Sequence, residues 1–176
     1  MRIIKTIKEL KKLNKNVTHL SFEYHFNQPI IIPQKITHLT FGYHFNQQIT
    51  IPQNVTHLSF GYDFNQQIII PQNVTHLTFS SCFNRQIIIP HNVTHLSFGC
   101  QRHSVFFEKK IGYYFNQQII IPQNITHLSF GEKFNQQIII PHNVIYLTIY
   151  KNFNKNVIIS KHIIIKKLQY FDTLIL

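Results

Sequence analysis

The chain has 176 residues, of which 44% are hydrophobic and 13% charged, with a formal net charge of +11. That hydrophobic share is ordinary for a chain that buries a core and excludes a disordered tail. The longest apolar runs fall far short of the roughly 20 residues a spanning helix needs, and two cysteines, Cys82 and Cys100, are too few for a disulfide framework.

The first thirteen residues carry Ile3, Ile4, Ile7, Leu10 and Leu13 at helical spacing with cations between them. This pattern predicts a short amphipathic helix over 1–13 that covers the first coil of a stacked array. The same basic pattern suits an anionic membrane surface, but capping is the expected role.

From Asn14 onward the sequence repeats. Pro33, Pro52, Pro71 and Pro90 are each separated by 19 residues, the step to Pro122 is 32, and Pro141 restores 19. One coil therefore carries an insertion of 13 residues, Cys100 to Gly112. Starting units at Val17, Ile36, Val55, Val74, Val93, Ile125 and Val144 gives seven copies of one template, Val-Thr-His-Leu-Ser-Phe-Gly-x-x-Phe-Asn-Gln-x-Ile-Ile-Ile-Pro-x-x.

Positions four and six of the template are apolar in every copy, from Leu20 and Phe22 to Leu147 and Ile149. Alternation of this kind makes a short strand with one buried face. A 19-residue unit cannot bury its own Leu and Phe, so the units must stack and pair their backbones. The expected fold is mostly β: a solenoid of seven 19-residue coils with a parallel sheet on one side and a short N-terminal capping helix. A column of Phe26, Phe45, Phe64, Phe83, Phe115, Phe134 and Phe153 is expected to form a dry spine. The Asn after each ring, Asn27 to Asn154, is expected to satisfy turn amides. The Ile-Ile-Ile-Pro stretch suits a second extended segment on the opposite side.

The stretch "FNQPI" at Phe26–Ile30, set in the repeated Thr-His-Leu-Ser-Phe-Gly…Phe-Asn-Gln template, resembles the FNIP repeat. This is a leucine-rich-repeat-like unit of proteins in social amoebae and in giant viruses that infect amoebae. The resemblance covers Asn14 to about Ile159 and rests on the Phe-Asn pair and the strand, because the Pro of the motif stands only at Pro29. It implies a curved binding solenoid without catalytic residues, in host or amoebal cytoplasm. Many relatives join such repeats to an F-box that recruits a ubiquitin ligase. The residues before Asn14 suffice for a short helix at most, so no F-box and no such link are expected.

The organisation expected is thus one solenoid domain over 1–176: a cap at 1–13, repeats at 14–159 with the insertion at 100–112, and a degenerate coil at 160–176. In that last coil Lys166 falls where Leu belongs. In the insertion, Phe106 and Phe107 flanked by Arg102, Lys109 and Lys110 either make a specific contact or pack back on the neighbouring coil.

With Leu and Phe inward, positions three, five and seven are expected to face out. Position three is His19, His38, His57, His76, His95 and His127, with Tyr146 last; position five includes Ser59, Thr78, Ser97 and Ser129. Three readings of this ribbon stand open: polar strand residues kept alike by duplication, a protein-binding face, or a metal site. No metal and no cofactor are expected, because no Cys, Asp or Glu completes a shell around the imidazoles in most units.

Catalysis needs unlike residues converging on a pocket, and no nucleophile elbow, phosphate-binding loop or His-Glu-x-x-His pair occurs. The function expected is a non-catalytic protein–protein interaction scaffold in a reducing, intracellular setting, with an unidentified protein partner. The alternative is nucleic-acid or anionic-surface binding through the basic ends. Arg2, Lys5, Lys8, Lys11, Lys12 and Lys15 crowd one, and Lys151, Lys155, Lys161, Lys166 and Lys167 the other. Pro33 to Ile89 holds only Lys35 and Arg85, whereas a phosphate-tracking repeat needs a cation in every unit, so neither nucleic acid nor membrane is the expected partner.

Overall fold

A computed structural model describes residues 1–99, 114–150, 153 and 161–168. Nine short parallel strands form one sheet in sequence order: β1 (Arg2–Ile4), β2 (His19–Phe22), β3 (His38–Thr40), β4 (His57–Ser59), β5 (His76–Phe79), β6 (His95–Phe98), β7 (His127–Ser129), β8 (Tyr146–Tyr150) and β9 (Ile164–Leu168). From β2 to β8 the register joins like to like, with His57 opposite His76, Leu58 opposite Leu77 and Ser59 opposite Thr78. The insertion does not disturb it, since His95 pairs with His127. Each turn of chain is one rung of a parallel β-solenoid, as the period requires.

The core is two interleaved columns of phenylalanine. Rings at template position six (Phe22, Phe41, Phe60, Phe79, Phe98, Phe130) are nearly parallel, with centroids 5.1 Å apart for Phe41–Phe60 and 5.9 Å for Phe98–Phe130. Position-ten rings follow at 6.3 Å for Phe45–Phe64 and 6.0 Å for Phe115–Phe134. The tightest contacts join the two columns within one coil, at 3.9 Å for Phe60–Phe64 and 3.8 Å for Phe98–Phe115. The spine is therefore double, with the position-six ring filling the gap that the coil pitch leaves between position-ten rings. A buried aromatic ring removes about 150–250 Å² from water, on the order of 4–6 kcal/mol per ring at about 25 cal/mol per Å² before ordering entropy is subtracted.

The asparagine column closes the turns between coils. Asn27 Oδ1 accepts from the Asn46 amide at 2.9 Å and from Gln47 Nε2 at 2.9 Å. The bond recurs at Asn65, Asn84, Asn116 and Asn135, each 3.0 Å from the Asn of the coil before. Each such bond contributes on the order of 0.5–1.5 kcal/mol net.

Three expectations need correction. The N-terminal segment is not one helix: Arg2–Ile4 is a strand paired with β2, and α1 spans only Ile7–Lys11. Ile4 is wholly buried opposite Phe22 and extends the apolar column, while Ile3 is half exposed. Thr6 then starts the helix by accepting from the Glu9 amide. At the other end, the terminal coil also adds a strand, so the sheet has nine members rather than seven. Its register steps by 18 residues, placing Ile165 opposite Leu147 and Lys166 opposite Thr148. In a 19-residue register Lys166 would enter the leucine column, where a charge has no partner.

Position seven does not face out. A Cβ at Gly42 would run into the Glu23 carbonyl oxygen, and one at Gly61 into that of Gly42, so glycine there permits close stacking of coils. The Ile-Ile-Ile-Pro stretches lie opposite the sheet with side chains alternating in and out, and carry no strand among the described residues. That wall is held by side-chain packing of its inward isoleucines, such as Ile68, Ile70, Ile138 and Ile140. The insertion, with Arg102, Phe106, Phe107, Lys109 and Lys110, lies outside the described residues.

Candidate functional site: a histidine ladder

Parallel in-register strands put position-three side chains one above another on the open face of the sheet. The imidazoles stack face to face, with centroids 3.9 Å apart for His19–His38, 4.1 Å for His38–His57, His57–His76 and His76–His95, and 4.0 Å for His95–His127. Tyr146 ends the row 4.7 Å from His127. Beside it runs the hydroxyl row, in which Ser59, Thr78, Ser97 and Ser129 are partly exposed. All four of these and all six histidines therefore lie on one face, as expected from the alternation. Between β5 and β8 the two rows border a shallow groove of about 300 Å³ lined by His76, His95, His127, Ser97, Ser129 and Tyr146, among others. Ser97 Oγ is buried there without a hydrogen-bond partner.

The residue before each histidine fixes its chemistry, and sequence reasoning passed over it. Thr37, Thr56, Thr75, Thr94 and Thr126 each hold their hydroxyl against the backbone carbonyl of the threonine one coil earlier, at 3.2–3.3 Å. The same oxygens lie 2.9–3.0 Å from Nδ1 of the following histidine. A hydroxyl has one hydrogen, so the two contacts are linked: with that hydrogen on the carbonyl the ring donates from Nδ1 and Nε2 is the acceptor of the neutral form, and with it on Nδ1 the ring carries its proton on Nε2. The signal was the repeated Thr-His pair at positions two and three.

Burial, and after it the neighbouring imidazoles, holds His38, His57, His76 and His95 below the ordinary histidine value of 6.5. Stacked cations about 4 Å apart would repel one another, so each ring disfavours charge on the next. Near-parallel rings also keep their Nε2 atoms side by side rather than converging on one ion. Among the described residues no group of three His, Cys, Asp or Glu is placed to hold a metal.

A second column lies at the turn after the sheet. Tyr24, Tyr43 and Tyr62 stack at 4.7 and 4.6 Å. Burial first, then the flanking Tyr62 and Tyr24 and nearby Asp63 and Cys82, pushes Tyr43 up to about 12. One position further on, His44 Nδ1 meets Asp63 Oδ2 at 2.7 Å. This His–Asp contact was readable from the 19-residue spacing between the two. Cys82, next in that column, has its thiol pushed up to about 11 by burial and then by Asp63, which keeps it protonated and unreactive.

Together these features define a class of protein: a parallel β-solenoid built from near-identical coils, with stacked polar ladders on its open face. The FNIP Repeat model matches residues 8–44, 26–63, 45–82, 64–101 and 115–151. The chain belongs to the FNIP repeat family. A search of curated proteins matches none of them to this chain.

Proposed function

We propose that the chain is a non-catalytic scaffold that binds a protein partner through the histidine ladder and the hydroxyl row beside it. The observation that carries this reading is the groove between β5 and β8. It brings the imidazoles of His76, His95 and His127 together with Ser97, whose hydroxyl lacks a partner, and with the aromatic ring of Tyr146. Imidazole nitrogens and hydroxyls repeated along one face suit a partner that lays polar groups across several coils. Against catalysis stands the placement of acids: Asp63 bonds His44 at the turn and not a ladder histidine. Ladder Nδ1 atoms face threonine, so among the described residues no carboxylate orients a ladder imidazole toward a serine as nucleophilic hydrolysis requires.

The test is capture from amoebal lysate on immobilised full chain, with mass spectrometry comparing the natural sequence and a His76→Ala/His95→Ala/His127→Ala variant. A partner retained by the first and lost by the second is the expected result. An identical captured set from both would reject the ladder as the binding face.

A further inference from the structure

The wall opposite the sheet carries a feature the ladder does not explain. In each Ile-Ile-Ile-Pro stretch the first and third isoleucines turn inward and the middle one turns out. Ile31, Ile69, Ile88, Ile120 and Ile139 are 87–90% exposed, and the second coil has an exposed Thr50 in the same place. Contiguous bare apolar side chains of this kind mark interaction surfaces.

Two residues earlier, facing the same way, Gln48, Gln67, Gln86, Gln118 and Gln137 are all exposed. Gln67 reaches along the row to donate to the Gln86 carbonyl at 3.1 Å. Within the wall segments 28–35, 47–54, 66–73, 85–92, 117–124 and 136–143, Lys35 and Arg85 are the two Lys, Arg, Asp or Glu residues.

We propose that this wall is a self-association face, on which a second copy of the chain lays its own isoleucine row in antiparallel orientation. The period selects the occupant. Isoleucines recur once per coil along the wall, and only a surface of the same pitch seats side chains between them along the whole stripe. A second copy has that pitch by construction. Identical rows interdigitate as dry zippers, with glutamine ladders alongside. A two-fold axis between Ile69 and Ile88 makes the contact self-complementary, pairing Ile69 with Ile88, Ile31 with Ile139 and Thr50 with Ile120.

Charge and area agree with this occupant. Two chains of net charge +11 repel, but the cations crowd the ends and leave the wall nearly neutral. Five isoleucines bury about 60–120 Å² each, roughly 300–600 Å² per copy. The glutamine row brings this toward the about 800 Å² per partner of standard complexes. The expected dimer is weak and reversible, it leaves the histidine ladder open, and it strengthens with salt as end-to-end repulsion is screened.

Sedimentation velocity of the full chain across the micromolar range tests this. A concentration-dependent dimer is expected, weakened at least about 100-fold in an Ile69→Lys/Ile88→Lys variant and tightened about tenfold by Thr50→Ile. The substituted side chains are solvent-facing, so circular dichroism should show unchanged folding. Where the lysine variant loses its fold, the Thr50→Ile arm decides, and no tightening overturns the proposal. A chain that stays monomeric throughout also overturns it, as does a dimer indifferent to both changes. The proposal equally fails if a monomeric chain binds phosphatidylcholine vesicles and the lysine pair abolishes that binding.

Discussion

The phenylalanine spine and the histidine ladder are built by the same device and behave oppositely. Both are stacks of flat rings repeated once per coil, one on each side of the same strands. Phe60 lies 5.2 Å from Phe79 inside, and His57 lies 4.1 Å from His76 outside. Inside, repetition only adds buried area, because a phenyl ring carries no charge to repeat. Outside, repetition multiplies a titratable group, so each added rung makes protonation of its neighbours harder. A duplicated unit thus yields a core that tolerates any number of copies and a surface whose properties depend on pH.

The contrast is largest at the spine. Phe64→Ala or Phe79→Ala removes a ring that touches both columns, and should cost on the order of 3–5 kcal/mol in urea or thermal unfolding. A ladder histidine replaced by Gln should cost far less at neutral pH. If both losses were equal, the division between structural and surface stack would be wrong.

Next comes the spacing between coils. Gly61→Ala places a methyl group against the Gly42 carbonyl, and overpacking of this kind costs about 1–3 kcal/mol. Thermal melting should show the loss, while Gln67→Ala on the exposed wall should show little.

The ladder itself predicts a pH dependence. Folded His38, His57, His76 and His95 titrate below 6.5, so between that value and their lowered ones the unfolded chain binds more protons. Stability is fully present above 6.5 and is lost as pH falls through that window. Chemical denaturation at several pH values should show the decline, and His57→Gln/His76→Gln/His95→Gln should flatten it. A slope unchanged in that variant would place the titration elsewhere.

The finest test concerns the tautomer. Thr75→Val removes the hydroxyl between the Thr56 carbonyl and His76 Nδ1. A loss of about 1 kcal/mol is expected. Imidazole nitrogen shifts in NMR should report Nδ1–H at His76 in the natural chain and a mixed tautomer in the variant.

The repeat, the parallel sheet and the inward Leu and Phe were legible because a strict 19-residue period forces like residues into columns whatever the details. His44 and Asp63 stand 19 residues apart, so the same period places them in one column. The role of Thr75 was hidden because a threonine before a strand reads as β propensity until its hydroxyl is seen to serve two partners. Ends were the hardest to read. Ile3, Ile4 and Ile7 fit a helical period, and only the presence of an unpaired edge at β2 turned Arg2–Ile4 into a strand.

The order of residues was enough to dictate that this chain stacks, how often, and which residues share a column, because an apolar unit too short to bury itself must find its copies. Tertiary structure set how closely the coils approach at Gly42 and Gly61 and the burial that lowers the ladder histidines. It also set the 18-residue step at which both terminal strands join, pairing Ile4 with Phe22 and Ile165 with Leu147. Those outcomes depend on distances between coils of a few ångströms, which no period along the chain records.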